Sequence, residues 1–510
     1  MIGTEMVLLM WRGDTKNKEV RYMKKKGISL IVLIITIIVV IILASVVILT
    51  ISKNNPIESA KEARFKEDIR TFQDELAMYI SSEMVKDYNG IREKITTSNM
   101  PSTDEMKQYI ASFSKKYEHK LGIYNDELVY YIPDEDENVT NKLTDQEENW
   151  LKDLGIKERV IETPEELFEW GSNDPNDSNY YTITKYNGTE ENVTIPKRCK
   201  IFGDNSINSC FENNITKKVK FQNGVTYINT FSFRGCANLE KVILPETLKS
   251  IGNFAFNNCD KLKEIEIPSS VTYLSICTFA SCDSLNKVIL HEGLTGIGNE
   301  CFHYCKNLKT ITLPDSLTYI SSSAFQESGL ESINIPKNCE NISSGPFAHC
   351  SSLKEITVDE NNNYFVSIDN VLYSKDKKNL IQYPAGKEDE SYNIFDETEI
   401  VGNSAFMGNS SLKLVNLGNS VRSIGEYSFM YCSNLENIKF SSSLKEIKYN
   451  CFGMSPNLKS VYIPSNVLKI ESIAFWNTCE TINCQASSKP DGWANGWCDN
   501  STNVNWGVTN

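Results

Sequence analysis

The chain has 510 residues, a formal net charge of −14 and 15 cysteines. This length exceeds what one hydrophobic core usually serves, so the sequence predicts more than one domain. The acidic balance argues against nucleic acid as a partner, because phosphate binding requires concentrated positive charge.

The first residues of the chain show no pattern that predicts secondary structure. Residues 1–22 have neither a periodic pattern nor the composition of a targeting signal, and Lys18, Glu19 and Val20 resemble a translated ribosome-binding sequence. One interpretation is therefore that translation starts at Met23. The other interpretation is a genuine disordered cytoplasmic tail over 1–22.

Residues 28–51 carry no charge and almost no polar group. Such a stretch is long enough to cross a bilayer as one helix. Lys24, Lys25 and Lys26 precede it, so the positive-inside rule predicts a cytoplasmic N-terminus. We expect a single-pass protein with a cytoplasmic leader over 1–27 and residues 52–510 outside the cell.

The next segment, 52–160, predicts a helix that continues into a small α+β domain. Pro56 suits the first turn of a helix. Apolar residues then recur on one helical face: Phe65, Ile69, Phe72, Leu76 and Tyr79. A helix near 106–113, a strand over 128–132 and a helix near 144–154 complete the domain. The polar stretch 161–178 predicts a linker.

From 179 to 486 the sequence repeats with a period of 23 residues, as in Ile251-Gly-Asn-Phe-Ala-Phe256-Asn-Asn-Cys259-Asp-Lys-Leu262-Lys-Glu-Ile265-Glu-Ile267-Pro268. Each copy contains a short alternating strand, which in the plainest copies, such as this one, ends at a proline. One phenylalanine marks each copy: Phe211, Phe233, Phe256, Phe279, Phe302, Phe325, Phe347, Phe406, Phe429, Phe452 and Phe475. A period of this length predicts a β-rich solenoid of about eleven repeats, whose stacked copies share one core.

Two segments interrupt or end the array. Fifty-nine residues separate Phe347 from Phe406, and they include a predicted hairpin insertion over 359–390. Its strands are expected at 371–373 and 380–383, around a charged turn. The aromatic, glycine-rich tail 487–510 is expected to cap the last turn, with carbohydrate binding as the alternative.

The repeated motif Ile-Gly-x-x-Ala-Phe-x-x-Cys-x-x-Leu-x-x-Ile-x-Ile-Pro resembles the BspA-type leucine-rich repeats of bacterial surface proteins. The resemblance implies a leucine-rich repeat solenoid that adheres to host or matrix proteins or to other cells. It also places the protein in a bacterial plasma membrane, facing outward.

The segment Lys24-Lys-Lys-Gly27-Ile28-Ser-Leu-Ile-Val32 is similar to the leader of type IV prepilins. This similarity implies cleavage by a prepilin peptidase between Gly27 and Ile28. The acidic residue that prepilins carry five places after the cut is Val32 here. An anchored protein with a pilin-like helix is therefore at least as well supported as a subunit of a filament.

The cysteines follow the repeat. Six of them stand three residues after a marker phenylalanine: Cys236, Cys259, Cys282, Cys305, Cys350 and Cys432. Other copies have serine, asparagine or threonine there, so the position requires a small polar side chain and no crosslink. We expect buried free thiols. A disulfide among Cys479, Cys484 and Cys498 remains open.

No enzymatic motif stands out. His119, His291, His303 and His349 make no metal-ligand spacing, and there is neither a phosphate-binding glycine loop nor a nucleophile elbow. The acidic run 134–137 is most simply a solvated loop, with calcium binding as the alternative. We predict no enzyme, no cofactor and no metal.

The middle residue of each repeated strand points away from the core, which predicts a binding stripe along the array. Its members are Ile243, Glu266, Ile289, Thr312, Asn334, Thr357, Asn416, Lys439 and Tyr462. Large apolar residues here favour an interface, although they are also good strand formers on a solvated face.

The predicted function is a membrane-anchored scaffold or adhesin for protein or cell-surface ligands. The alternative is a minor pilin or pseudopilin-like component of a type IV pilus or secretion system. The sequence alone does not determine the ligand or the oligomeric state.

Overall fold

The computed structural model describes residues 56–86, 94–97, 101–124, 127–131, 143–159, 162–171, 181–211 and 215–509. The chain divides into two compact units, Met1–Val160 and Ile161–Asn510. The leader, the span 28–51 and the cleavage site at Gly27 and Ile28 all lie outside the described residues. Of the described helices, none is long and apolar enough to cross a membrane.

The first unit combines helices with a small sheet. Its helices are α1 (Pro56–Lys86), α2 (Thr103–Met106) and α3 (Asp145–Asp153), with a 3-10 turn at Lys115–Tyr117. Its strands are β1 (Leu121–Tyr124), β2 (Glu127–Tyr130) and β3 (Lys157–Glu158). Strand β2 lies in the middle, antiparallel to β1 and parallel to β3.

The apolar face predicted for the first helix forms the core of this unit. Phe65, Ile69, Phe72 and Leu76 of α1 are buried, and Tyr79 packs edge-on against Tyr109. The predicted helix near 106–113 is wrong in extent, because α2 ends at Met106 and the chain continues in turns that still bury Ile110 and Phe113. Helix α3 starts at a capping box that Thr144 and Glu147 form.

The second unit is a solenoid whose turns each contribute to two strand layers, with the core between them. The front layer consists of β6 (Asn192–Thr194), β8 (Lys218–Lys220), β10 (Lys241–Ile243), β12 (Glu264–Glu266), β14 (Lys287–Ile289), β17 (Ser332–Ile335), β19 (Glu355–Val358), β23 (Ser391–Asn393), β25 (Leu414–Asn416), β27 (Asn437–Lys439), β29 (Ser460–Ile463), β31 (Thr481–Cys484) and β32 (Asn503–Trp506). Paired strands of the front layer run parallel.

The back layer consists of shorter strands. They are β4 (Phe168–Gly171), β5 (Tyr181–Tyr186), β7 (Cys199–Phe202), β9 (Tyr227–Ile228), β11 (Ser250–Ile251), β13 (Tyr273–Leu274), β15 (Gly296–Ile297), β16 (Tyr319–Ile320), β18 (Asn341–Ile342), β24 (Ile400–Val401), β26 (Ser423–Ile424), β28 (Glu446–Ile447) and β30 (Lys469–Ile470). Most of them contribute one buried aliphatic residue to the core.

The marker phenylalanines form a ladder of rings inside the solenoid. All eleven are at most 3% exposed. Within each run the rings are nearly parallel, and the centroids of Phe256 and Phe279 are 5.3 Å apart. This stacking confirms the repeat that the sequence predicts.

The count of about eleven repeats is wrong, since the solenoid has about fourteen turns. Two of the additional turns carry tyrosine in place of phenylalanine, at Tyr186 and Tyr383, whereas the last turn places Cys498 opposite Phe475 and sets the Trp497 ring edge-on against that of Phe475. The ring of Tyr383 stacks 5.0 Å from that of Phe406, and its N–H donates to the carbonyl of Ala405 as that of Phe233 donates to Ala255. A search for phenylalanine alone therefore misses these turns.

The turns with markers from Phe233 to Phe475, apart from that of Tyr383, bend sharply at two residues with left-handed backbone, one on either side of the marker. Around Phe256 they are Phe254, with φ 55°, and Asn258, with φ 58°. Their N–H groups donate to carbonyls of the next turn, at Ile276 and Ala280. Side chains other than glycine seldom adopt this conformation, but here it directs each N–H along the axis of the solenoid.

The insertion contains three strands, β20 (Phe365–Ile368), β21 (Val371–Ser374) and β22 (Asn379–Gln382), which form an antiparallel meander. The two predicted strands are confirmed, and β20 was not predicted. Strand β22 pairs in parallel with β24, so it continues the back layer into the second half. The buried core divides here, with Leu372 in one cluster and Tyr373 in the other.

Both ends of the array are covered. The segment predicted as a linker contains a 3-10 turn (Glu165–Leu167) and strand β4, which pairs with β5. This segment forms a strand and not a linker because its apolar residues alternate. Phe168 is buried in the core cluster, and Trp170 packs against that cluster. At the other end Trp493 and Trp497 are buried against the last turn.

Candidate binding face

The predicted stripe lies along the front layer in strands of four successive sheets, except for Thr312, which lies outside the assigned strands. Glu266 stands opposite Ile289, Asn334 opposite Thr357 and Asn416 opposite Lys439. Within each strand these residues alternate with buried ones, as Glu266 does between Ile265 and Ile267. Glu266, Thr312, Asn334 and Lys439 are exposed, and Ile243, Ile289, Thr357, Asn416 and Tyr462 are half-buried. The placement fits the predicted geometry, and the binding role stays a prediction.

The row is longer than the predicted stripe. Thr194, Lys220, Asn393, Asn483 and Asn505 occupy the same position in further turns. Three of these, Thr194, Asn393 and Asn505, belong to the turns that have no phenylalanine at the marker position. Sequence reasoning missed them for that reason, and the register of each strand with its neighbour identifies them.

A depression of about 340 Å³ opens around the apolar part of the row. Ile243 and Ile289 flank it, while Lys241, Glu264 and Lys287 stand at its edge. The Lys241 ammonium lies 2.9 Å from the Glu264 carboxylate and holds the pKa of that group below its usual value. The exposed Glu266 lies between the two isoleucines, so the depression combines aliphatic with charged side chains, both of which a protein ligand can use.

Further along, the row becomes a ladder of amides and hydroxyls. Asn416 Nδ2 donates to Asn393 Oδ1 at 2.6 Å, and Asn505 Nδ2 donates to Asn483 Oδ1 at 2.9 Å. Thr357 Oγ1 donates to Asn334 Oδ1 at 2.9 Å. These bonds fix side chains that are otherwise exposed, so less rotational freedom is lost when a ligand contacts them.

The cysteines are confirmed as free thiols, and fourteen of the fifteen are buried. The Sγ atoms of Cys259 and Cys282 each donate to the carbonyl of the marker phenylalanine in the preceding turn, at 3.1 Å. Ser455 makes the same bond to Phe429 at 2.7 Å. The position therefore needs a donor for a buried carbonyl. Burial also raises the pKa of Cys432 to about 12, which suppresses the reactive thiolate.

The four histidines are half-buried, with His119 in the first unit and the other three on separate turns of the solenoid. His291 Nε2 is 2.8 Å from Glu266 Oε1, and His303 Nδ1 is 3.9 Å from Glu300. Burial lowers the pKa of His303. Within the described ranges, no three histidine, cysteine or acidic residues are grouped to hold a metal ion. The acidic run 134–137 lies outside those ranges.

A family model described as a BspA type leucine rich repeat region of six copies matches residues 204–303, 278–386 and 385–489. The fold is similar to that of a leucine rich cell surface protein from Faecalibacterium prausnitzii A2-165, with 30% identity, a TM-score of 0.59, and coverage of 69% of this chain and 96% of that one. It is also similar to the pneumococcal vaccine antigen PcpA, with 23% identity, a TM-score of 0.52, and coverage of 69% and 88%. No curated protein matches the chain.

Proposed function

The chain belongs to the BspA-type leucine-rich repeat family, and from that premise we propose that it is a cell-surface scaffold that binds protein or cell-surface ligands. The observation that carries the proposal is the row of outward side chains that recurs in the four successive sheets of the front layer. The name of the relative from Faecalibacterium prausnitzii, a cell surface protein, supports the location.

Binding would start at the depression in the row, where Ile243 and Ile289 flank Glu266. Ile243 and Ile289 offer aliphatic surface that a ligand side chain can desolvate, and the charges of Lys241 and Glu264 orient the approach. The amide ladder around Asn416 then adds hydrogen bonds along the array. Because strands hold every contact residue, the face is already organised before a ligand arrives. We propose that the protein acts as an adhesin by this route and without enzymatic activity.

We propose that residues 28–51 anchor the protein in a bacterial plasma membrane, with the solenoid outside the cell. The support is the uncharged sequence behind three lysines. If a prepilin peptidase processes the leader, the mature chain begins at Ile28, and Gly27→Val leaves the leader attached. N-terminal sequencing from a host that has the peptidase distinguishes the two forms.

The binding proposal is tested with the double variant Ile243→Asp and Ile289→Asp. We expect lost adhesion of the purified chain to cells and to a panel of matrix proteins, with unchanged thermal unfolding. Ile400→Asp is the matched control, since Ile400 is exposed in the back layer. Adhesion that survives the double variant would place the binding site elsewhere, with the insertion at 359–390 as the next candidate.

A minor pilin or pseudopilin-like role is the second candidate. The observation that favours it is a long helix, α1, packed on a small α+β domain. Protease treatment of intact cells and imaging of filaments separates the two functions. Labelled protein within filaments would support the second candidate, and labelled protein spread over the cell surface would support the first.

A further inference from the structure

A row of tyrosines runs along the back layer, across the core from the predicted stripe. Tyr227, Tyr273 and Tyr319 take the same position in every second turn, and Ser250 and Gly296 take it in the turns between them. Consecutive rings are thus separated by two strands of a parallel sheet, a distance of roughly 10 Å.

The rings lie along the sheet instead of standing up from it. A Cβ atom placed on Gly296 would come within 2.6 Å of Cδ2 of Tyr273, so this ring covers the glycine of the next turn. Tyr319 leans the same way, with its hydroxyl 2.9 Å from Ser343 Oγ one turn further on. Tyr273 nevertheless keeps 42% of its surface exposed, so one face packs on the sheet and the other is open.

The surroundings of Tyr273 and Tyr319 form a neutral strip rich in hydroxyl groups, while the exposed Lys249 lies beside Ser250 between Tyr227 and Tyr273. The positions beside the rings in the three central turns are held by Thr272, Ser275, Thr295, Gly298, Thr318 and Ser321. Thr295 Oγ1 donates to the carbonyl of Thr272, and Thr318 Oγ1 donates to that of Thr295, at 2.9 and 3.0 Å. These bonds use the hydroxyl protons and leave the oxygen lone pairs as acceptors. Within a chain of net charge −14, a neutral strip complements a neutral partner.

From this arrangement we propose that the tyrosine row binds a neutral, extended β-1,4-linked polysaccharide. The carbon-bound hydrogens on the face of a sugar ring pack on an aromatic ring, and the sugar hydroxyls donate to the threonine and serine oxygens. An extended chain of this linkage turns the same face outward at every second sugar, with a period close to the spacing of the tyrosines. The site uses none of the stripe residues, so it does not depend on the proposed function.

The test is affinity gel electrophoresis of the full chain in gels that contain hydroxyethylcellulose, with dextran and anionic alginate for comparison. We expect retardation by hydroxyethylcellulose alone. Tyr273→Ala should weaken the interaction about two- to tenfold, the range expected for one aromatic contact, and the triple alanine variant of the row should abolish it. Tyr364→Ala, at a tyrosine 47% exposed in the insertion, is the matched control and should bind normally.

A second variant keeps all three tyrosines. Gly296→Ala places a Cβ where the Tyr273 ring lies, so it should tilt that ring and weaken binding, with thermal unfolding recorded to verify the fold. Absence of retardation by hydroxyethylcellulose, equal retardation by dextran or alginate, or normal binding by the triple variant would overturn the proposal. So would loss of self-association in Tyr273→Ala, since the row would then be an interface between copies.

Discussion

The two halves of the solenoid, 181–358 and 391–506, have the same interior and different exteriors. Inside, the rings of Phe256 and Phe279 stack in the first half as those of Phe429 and Phe452 stack in the second, with centroids 5.3 Å apart in both pairs. The carbonyl of the preceding marker is satisfied by Cys259 in one half and by Ser455 in the other. The repeat therefore requires a hydrogen-bond donor to this carbonyl in each half, and either cysteine or serine can supply it.

Outside, the back layer changes character at the insertion. The first half presents the tyrosine row with few charges beside it, whereas the second half presents Glu446 and Lys469 at the positions equivalent to the tyrosines. Lys469 lies 2.6 Å from both Glu446 and Glu471, and Arg422 pairs with Glu399. Side chains in these rows contribute little to the core, so they can differ between turns without loss of the fold. Because the side chains of these rows can vary without loss of the fold, we expect the ligand-binding residues to lie in the rows.

The largest expected effect comes from the shared interior. Phe302→Ala in the first half and Phe429→Ala in the second should each lower the free energy of unfolding by roughly 3–5 kcal/mol, because a buried ring leaves a cavity. Urea unfolding measures the loss, and Phe302→Leu is the milder control. Hydrogen exchange should localise each loss to its own half, since the core divides at the insertion. Loss of protection across both halves would contradict that division.

Alkaline pH should affect the halves unequally. The first half contains ten cysteines and the second five. Burial raises the pKa of Cys236 to about 12 from a usual value of 9.0. The unfolded chain thus loses thiol protons first, so stability is retained below about pH 9 and falls as the pH rises toward 12. Hydrogen exchange at pH 8 and pH 10 should show the first half weakening more. Equal weakening, or the same result after Cys→Ser changes, would argue against the thiols.

Removal of the donor to a buried carbonyl should cost less than removal of a ring. Ser455→Ala leaves the carbonyl of Phe429 without the bond that Ser455 makes at 2.7 Å, which should cost about 1–3 kcal/mol. The exposed Ser433→Ala is the control. An unchanged midpoint of urea unfolding in Ser455→Ala would show that this bond is dispensable.

Among the changes to the interior, exchange of one hydrogen-bond donor for another should lower the free energy of unfolding least. Cys259→Ser keeps the bond to Phe233, so we expect a loss of about 1 kcal/mol or less in urea unfolding. The native thiols should also resist alkylation until the chain unfolds. Rapid labelling of Cys259 in the folded protein would contradict its burial.

Exterior charges should matter least for stability. Lys469→Gln removes two exposed ion pairs of the second half, and we expect about 0.5 kcal/mol or less, falling further in high salt. Tyr273→Ala in the first half should lower the free energy of unfolding by a similarly small amount. A large loss in either variant would mean that the rows belong to the structural core, which would remove the contrast between interior and exterior.

Much of the fold could be predicted from the sequence because each copy of the repeat packs the same kinds of residue at the same positions. The spacing of Phe256 and Cys259, the strand at Ile265 and the end of the strand at Pro268 all recur with the period of 23 residues. The turns of Tyr186 and Tyr383 were missed because tyrosine can take the place of phenylalanine in the ladder, and the last turn was missed because it has Cys498 opposite Phe475. The left-handed residues were missed as well, since Phe254 at φ 55° has no sequence signature.

The candidate face was predictable in position but not in extent. Alternation within the strand places Glu266 outside and Ile265 inside. The depression between Ile243 and Ile289 depends on how neighbouring turns meet, which no single copy encodes. The tyrosine row repeats at twice the period, with Gly296 between two rings, so a comparison of consecutive copies does not reveal it.

The most direct test of the central claim, that the interior specifies the fold and the front row binds the ligand, compares two variants in one adhesion assay. One carries Ile243→Asp and Ile289→Asp in the row, and the other carries Cys236→Ser, Cys259→Ser, Cys282→Ser and Cys305→Ser in the core. Binding to cells and matrix proteins is titrated for both beside the parent chain. We predict that the core variant binds like the parent chain while the row variant loses adhesion with its fold intact. Normal adhesion by the row variant, or lost adhesion by a folded core variant, would contradict the account.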